Sequence, residues 1–379
     1  MKDTPKSSTQ RRWTIILIGL FMVFLWLPSL DTFFHVDRTK PPSENRALAS
    51  MPKLQSGIQD YVKGLETYFN DHFGCRKLLM QWHNKLRWSL FKDKSTRNVL
   101  VGKDGWLFYT ISQMIDHYSG QLQFTPEQLH DWQVLLEARR DWLAKRGIAY
   151  LFVVTPDKLS IYPEYLPDWV VRVRPQTKLD QFMAYMHEHS TVPVLDLREV
   201  LRNGKKIYPT YLKTDMHWNF FGGFLAYQEI LRALARERPE LGAPLSLTNF
   251  TLANAPAPGG DLARFIGVNM PEENSILFTA KPELPVITTK MPDAEHIKDP
   301  RHTDNPQAKG RIIVFHDSFG MSWVPFLGYH FNQVTYLWYY FIDPEKIESE
   351  KPDIVVNEMN ERFFNIQDPK ELLAKEALK

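Results

Sequence analysis

A single cysteine, Cys75, in 379 residues leaves this chain without an intrachain disulfide and without the clustered thiols of a structural zinc site. This suits an exported protein, because disulfides are permitted outside the cytoplasm but not required there. No His or Asp pattern surrounds Cys75, so it reads as a small residue near a helix end and not as a thiol nucleophile. An excess of one charge is missing too, with 46 Lys and Arg against 44 Asp and Glu. A phosphate-tracking surface is therefore not indicated and nucleic acid is not an expected partner, although a neutral total can still contain a local basic cleft. There is no Gly-rich phosphate loop, no His-Glu-x-x-His pair, no internal repeat and no low-complexity tract. Nucleotide cofactors are not expected, nor is any other cofactor.

Aromatic residues are plentiful: 11 Trp, 15 Tyr and 24 Phe. They fit a large core first and a sugar-stacking surface second. The length allows one large α/β domain with insertions or two modest ones. Lys2, Lys6, Arg11 and Arg12 precede an apolar run from Trp13 to Leu27 that extends to Leu30. Basic residues before a span predict the N-terminus inside and the rest outside. No small-x-small cleavage pattern follows, so residues 1–30 read as a cytoplasmic basic segment and uncleaved signal anchor. The alternatives are a removed signal peptide and a buried soluble helix. Thr39–Ser43, with Pro41 and Pro42, reads as a linker. Helical spacing then appears in Ile58, Val62, Leu65, Phe69 and Phe73, and again in Leu78, Leu79, Trp82, Leu86 and Leu90.

From Thr125 the pattern alternates between helix and strand, the signal of a doubly wound α/β domain. Thr125-Pro126-Glu127-Gln128 supplies a cap, a proline at the first helical position and a reciprocal Gln. Residues 148–154 form an apolar strand, about 176–189 a helix, 192–197 a strand, and 220 onward a helix. Residues 239–310 are poor in periodicity and read as an insertion of loops and small strands over the site. Further strands are expected at 334–340 and 353–357, with a short helix at 344–349 between them.

Arg311-Ile-Ile-Val-Phe-His-Asp317-Ser318-Phe-Gly320 is a buried strand that stops abruptly, leaving Ser318 at a strand's C-terminal edge, where open α/β sheets place reactive groups. Thr214-Asp215-Met216-His217-Trp218 offers a carboxylate and an imidazole two residues apart. A serine hydroxyl is a weak nucleophile that needs a base, and the base needs a carboxylate to fix its tautomer. Ser318, His217 and Asp215 can fill those roles as a set. Singly, Ser318 can be a helix cap, Asp215 a loop brace and His217 a partly buried ring. A metal reading would use Asp215, His217, His316 and Asp317, but the pairs are nearly adjacent and lack a ligand signature.

At these residues the chain resembles the SGNH hydrolase-like domain of the bacterial exopolysaccharide O-acetyltransferases of the alginate-acetylation type. The similarity also runs through Glu44-Asn45-Arg46, Gly102 to Phe108, Pro156-Asp157-Lys158, Ile161 to Glu164, Gly260-Asp261-Leu262, Pro352 to Val356 and Glu361-Arg362. It implies an open parallel sheet flanked by helices, with residues 31–57 as linker and lead-in and 58–379 as the catalytic domain. The resemblance further implies an inner-membrane protein whose periplasmic domain uses Ser318 as nucleophile, His217 as base and Asp215 as its orienting acid. The acceptor would be an exopolysaccharide, and the acetyl donor a multipass membrane acyltransferase. Asp-His precedes Ser as in that family, and Asp-x-His stands where common SGNH esterases have Asp-x-x-His. A polysaccharide acetylesterase with the same residues, or a non-catalytic polysaccharide-binding assembly subunit, are the alternative readings. For the oxyanion, the Ser318 N–H is one expected donor, with Asn357 and Asn360 as further candidates. Lys158, Arg264 and Arg362 are candidate contacts for an acidic polymer.

Overall fold

The computed structural model describes residues 8–34, 48–53, 57–76, 78–79, 82–83, 86, 95–290 and 300–378. It divides into two compact units, Met1–Lys94 with Arg264–Asn269, and Ser95–Ala263 with Met270–Lys379.

In the first unit, Ser8–Phe34 is one helix. Its stretch Arg12–Asp31 is long and apolar enough to cross a membrane, since 20 residues at about 1.5 Å each match the roughly 30 Å hydrocarbon core. Side chains from Trp13 to Trp26 are largely exposed, as a span's would be and a soluble core helix's would not. The helix Ile58–His72 carries Ile58, Val62, Leu65 and Phe69 at the expected spacing. Leu78, Leu79, Trp82 and Leu86 are helical. Leu90, the Pro41-Pro42 linker and Glu44-Asn45-Arg46 lie outside the described residues. Cys75 is buried with a positive φ of 59°, and its N–H donates to Asp31, in keeping with a packing role just beyond a helix end.

Among its described residues the second unit contains three sheets. β1 (Val99–Val101) and β2 (Leu107–Tyr109) form an antiparallel pair about the Gly105 turn. The main sheet uses β3 (Ala149–Thr155) and β4 (Val194–Asp196). The insertion supplies β5 (Phe250–Asn254), β6 (Ile276–Ala280), β7 (Thr288–Lys290) and β8 (Arg301–Asp304). β9 (Arg311–Phe315), β10 (Gln333–Leu337) and β11 (Ile354–Asn360) complete the set. The order in the main sheet is β4-β3-β11-β9-β10-β8-β7. The first five strands are mutually parallel, whereas β8 and β7 are antiparallel to their neighbours. The sheet is therefore mixed, not wholly parallel. The parallel strands are linked through helices, while β7 and β8 come from the helix-poor insertion and extend one edge. Among the described residues β5 and β6 pair only with each other.

Strand parity explains the layers. Leu151, Val153, Ile312, Val314, Ile354 and Val356 face one hydrophobic cluster, against Phe224, Tyr227 and Ile230 of the helix Phe220–Ala235. Tyr150, Phe152, Val154, Ile313, Phe315 and Val355 face the other, with Trp132, Leu136, Phe182 and Leu372 from helices Pro126–Ala144, Lys178–His189 and Pro369–Glu376. Successive side chains alternate between faces, so strands covered on both sides must be apolar throughout. Each such Leu, Val or Phe contributes roughly 1.5–3 kcal/mol on burial.

Helix ends follow their sequence signals. Thr125 Oγ1 accepts from Gln128 N at 3.2 Å, while Gln128 Oε1 accepts from Thr125 N at 3.0 Å. The expected strand at 334–340 ends at Leu337, so Trp338 to Tyr340 lie beyond it, and the strand expected at 353–357 runs on to Asn360.

Candidate active site

β9 delivers the serine. His316 N still donates to Leu337 O of β10 at 2.9 Å, and the chain then leaves the sheet. Asp317 fixes the turn: its N donates to Glu358 Oε2 at 2.7 Å, its Oδ1 accepts from Phe319 N at 2.8 Å, and its Oδ2 accepts from Asn360 N at 3.2 Å. Two adjacent strand ends are thereby joined, and Ser318 is held half-buried at the edge. Burial and the neighbouring Asp317 push the Glu358 carboxyl well above its usual range, and its Oε1 accepts from Thr155 Oγ1 at 2.6 Å. Burial also lowers His316, to about 4, while its Nδ1 lies against Asp317 O. His316 and Asp317 are thus braces of the serine turn.

The acid and base come from a tight reversal, Tyr211 to Trp218, closed by a bridge between those residues and by Leu212 N donating to His217 O at 3.1 Å. Two buried ions of opposite charge grip it. Glu272, 2% exposed, accepts from Lys213 N at 3.0 Å, Thr214 N at 2.7 Å and Thr214 Oγ1 at 2.7 Å. Lys158, 1% exposed, donates to the carbonyls of Leu212 at 3.0 Å, Lys213 at 3.2 Å and Asp215 at 2.5 Å. Burial lowers the Lys158 ammonium to about 8. Gly260 closes over the acid: a Cβ there would stand 2.5 Å from Asp215 Cβ, so only glycine allows the approach.

The three side chains meet. His217 Nδ1 lies 2.7 Å from Asp215 Oδ1, and His217 Nε2 lies 2.8 Å from Ser318 Oγ. Asp215 Oδ1 also accepts from His217 N at 3.1 Å, and its Oδ2 from Asp261 N at 2.7 Å. Burial favours a neutral Asp215, but its hydrogen bond to His217, the imidazole charge and the two backbone N–H groups outweigh this and hold it well below the usual carboxylate range. An ionised Asp215 places the proton on His217 Nδ1 and leaves Nε2 free to accept from the serine hydroxyl.

Asp215, His217 and Asp261 also have potential ligand atoms within 4.8 Å of one another, a grouping able to hold a cation. It differs from the metal set read from the sequence, because His316 and Asp317 serve the serine turn instead. The Asp215 oxygens already accept hydrogen bonds from His217 and Asp261, and His217 directs its second nitrogen at Ser318, which suits proton transfer.

Other expectations are corrected. Asn357 Oδ1 accepts from Arg139 Nη1 at 2.7 Å and from Tyr150 Oη at 3.3 Å, and Asn360 Nδ2 donates to Thr155 O at 3.0 Å. The Asn360 amide is thus committed to the backbone, and the Asn357 side chain lies with Arg139 and Tyr150 in the helical layer. Lys158 is an internal brace and not a surface contact for a polymer. Arg264 is exposed and falls in the other compact unit. Arg362, like Lys158, is buried beside the site, but its Nη1 reaches Met216 Sδ at 3.4 Å where Lys158 grips backbone carbonyls. Glu272 escaped the sequence reading, because an isolated Glu in a turn-rich insertion gives no periodic signal that distinguishes it from a solvated one.

Comparison with known proteins follows the same residues. The family described as SGNH hydrolase-like domain, acetyltransferase AlgX, matches residues 99–321. Among curated relatives, the probable alginate O-acetylase AlgJ of Pseudomonas syringae pv. tomato is 27% identical over 206 residues, 54% of this chain and 50% of that protein. Its Pseudomonas putida counterpart is 27% identical over 238 residues, 62% and 58% of the two chains. The match thus spans about half the length of these relatives. Among solved structures, Bacillus cereus PatB1 with a sulfonyl adduct shares the fold at a TM-score of 0.54 and 16% identity, covering 73% of this chain and 98% of that one. A DHHW family protein from Eubacterium siraeum does so at 0.53 and 14% identity, covering 75% and 97%. Because the family match takes in more than half of the chain, from β1 past Ser318 and including the Asp215–His217 turn, this chain belongs to the AlgX-type SGNH hydrolase-like acetyltransferase domain family.

Proposed function

We propose that this protein is a polysaccharide O-acetyltransferase that works through an acetyl-serine intermediate. The observation that carries this reading is the relay Asp215–His217–Ser318, with heavy-atom separations of 2.7 and 2.8 Å, inside the family match. Ser318 Oγ attacks the donor's acetyl carbonyl while His217 Nε2 takes its proton. As the tetrahedral intermediate collapses, the bond to the donor's leaving oxygen breaks and His217 returns the proton to that oxygen. A sugar hydroxyl then gives its proton to His217 and attacks the acetyl-serine, and the Ser318–acyl bond breaks with reprotonation of Oγ. Asp215 steadies the imidazolium formed in each half. The oxyanion needs preorganised donors, and the Ser318 N–H at the edge of β9 is the one assigned in this reading.

The curated relatives named as alginate O-acetylases support an exopolysaccharide acceptor. The apolar helix containing Arg12–Asp31 supports an inner-membrane anchor with the catalytic unit in the periplasm, and the acetyl donor we infer is a multipass membrane acyltransferase. The test is incubation of the full chain, in detergent micelles, with a chromogenic acetyl ester and an oligosaccharide panel that includes alginate oligomers, beside Ser318→Ala. Mass spectrometry should find sugar acetylation that the variant lacks. Serine-dependent acetate release without sugar acetylation would turn the reading to an acetylesterase, and turnover unaffected by Ser318→Ala would overturn it.

A further inference from the structure

Arg362 is held in an environment that does not suit a structural cation. It is 7% exposed, its Nε is buried without a partner, and its Nη1 donates to the weakly accepting sulfur of Met216. Among the described residues the polar contact of its Nη1 is that sulfur, not a carboxylate. Rings surround it: the guanidinium carbon lies 5.2 Å from the Tyr109 centroid, 5.5 Å from that of Phe319 and 5.7 Å from that of Phe363. Asp157 feels its charge without an ion pair to it, and desolvating a cation with no carboxylate in contact destabilises a fold. Its location gives the reason, for Met216 immediately precedes His217 and Phe319 immediately follows Ser318.

A partly open aromatic ledge adjoins it. β10 ends with Leu337 opposite Phe315 of β9, so the residues after Leu337 pass the same edge as the serine turn. Tyr339 and Phe341 stack together, 5.3 Å apart with planes 3° from parallel. The alternate residues point elsewhere: Tyr340 is 36% exposed with its ring 4.8 Å from Phe363, and the Trp338 ring lies 6.0 Å from that of His316, two residues before the serine. Flat ring faces beside unspent guanidinium donors match the two surfaces of a pyranose, one lined by C–H bonds and the other by hydroxyl oxygens. An acyl chain would leave the guanidinium unpaired.

Resting on the transferase reading above, we propose that Arg362 with Trp338, Tyr340 and Phe363 forms the subsite for the acceptor sugar. The rings stack on the pyranose, the guanidinium donates to its oxygens, and the accepting hydroxyl is held at the acyl-serine. This makes the four residues specificity-determining, with Arg362 touching substrate in place of a protein carboxylate.

The test separates binding from chemistry by using full-length Ser318→Ala in detergent micelles, with an alginate hexasaccharide and cellohexaose as probes. Titration calorimetry is expected to show binding of at least one hexasaccharide, weakened about tenfold or more by Arg362→Met and severalfold by Tyr340→Ala. Arg362→Lys, which keeps the charge but not the planar fork, should fall between Arg362→Met and the parent. Arg362→Met should also keep or raise the melting temperature, since it removes a buried charge that no carboxylate contacts and Asp157 can stay protonated. A merely structural arginine would do the reverse. Equal affinities across the variants, no binding of either hexasaccharide, or a clear fall in melting temperature for Arg362→Met would each overturn the subsite. Failure of the acetyl-serine reading would appear elsewhere, as acetyl-ester turnover surviving Ser318→Ala in the otherwise native protein.

Discussion

Two buried arginines at opposite places in the sheet differ in what surrounds them. Arg139, 1% exposed, lies in the helical layer, where Nε reaches Glu376 Oε2 at 3.0 Å, Nη2 reaches Oε1 at 2.5 Å, and Nη1 reaches Asn357 Oδ1 at 2.7 Å. The fork is filled, and the pair ties the helix Pro369–Glu376 to the helix Pro126–Ala144 and to β11. Arg362, at the sheet's C-terminal edge, has rings and a sulfur for company. A filled guanidinium marks scaffold, while an unfilled one beside a nucleophile marks a place kept for something that comes and goes.

The contrast can be broken or sharpened experimentally, beginning with the largest effect. Ser318→Ala should lower acetyl-ester turnover by about 10⁴-fold or more, some 5 kcal/mol of transition-state stabilisation, while moving the melting temperature little. A variant that unfolds instead would erase the division between edge and scaffold. Glu376→Ala should do the opposite: it leaves Arg139 charged and unpaired, at a cost of about 3–5 kcal/mol in unfolding free energy, readable by urea denaturation.

Asp157 gives a pH-dependent comparison at the edge. Burial raises its carboxyl from 3.8 to about 6, against the opposing charge of Arg362. With the folded value above the unfolded one, its contribution is full below pH 3.8 and is lost as pH rises through about 6. Asp157→Asn, which can still cap the following helix, should therefore gain on the native protein between pH 4 and 7, by at most about 3 kcal/mol in unfolding measurements. A gap that shrank with rising pH would show the Arg362 attraction to dominate. Smallest is Thr125→Ala on the scaffold side, about 1 kcal/mol from the lost capping box, with turnover per folded molecule unchanged.

What the sequence disclosed tracks the range of each signal. The strand at β3, the Thr125–Gln128 box and the helix over Lys178–His189 are written in neighbouring residues, and they formed as expected. The meeting of Asp215, His217 and Ser318 was readable because both segments lie where regular elements end. The antiparallel pairing of β7 and β8 was not, since short polar strands in a turn-rich stretch take their partners from tertiary contact. Trp338 to Tyr340 continued an aromatic run that suits a strand, yet β10 stops at Leu337 and the rings serve the edge. Glu272 and Lys158 were beyond reach for another reason: a buried ion and a solvated one look alike until the backbone groups it grips are known. Asn357 showed the limit of parity, one residue deciding whether an amide faces the helical layer or the other side.

The position of β11 has a consequence for how the protein is born. It lies between β3 and β9, although it is the last strand in the chain. A polypeptide emerging from its N-terminus delivers β3 and β9 long before their shared neighbour, so the sheet waits in two halves. Glu358 and Asn360, which brace Asp317 beneath the nucleophile, arrive only then. A nascent chain stopped short of residue 360 would carry the aspartate, the histidine and the serine but lack the braces of the serine turn, so reactivity is withheld until β11 has been made.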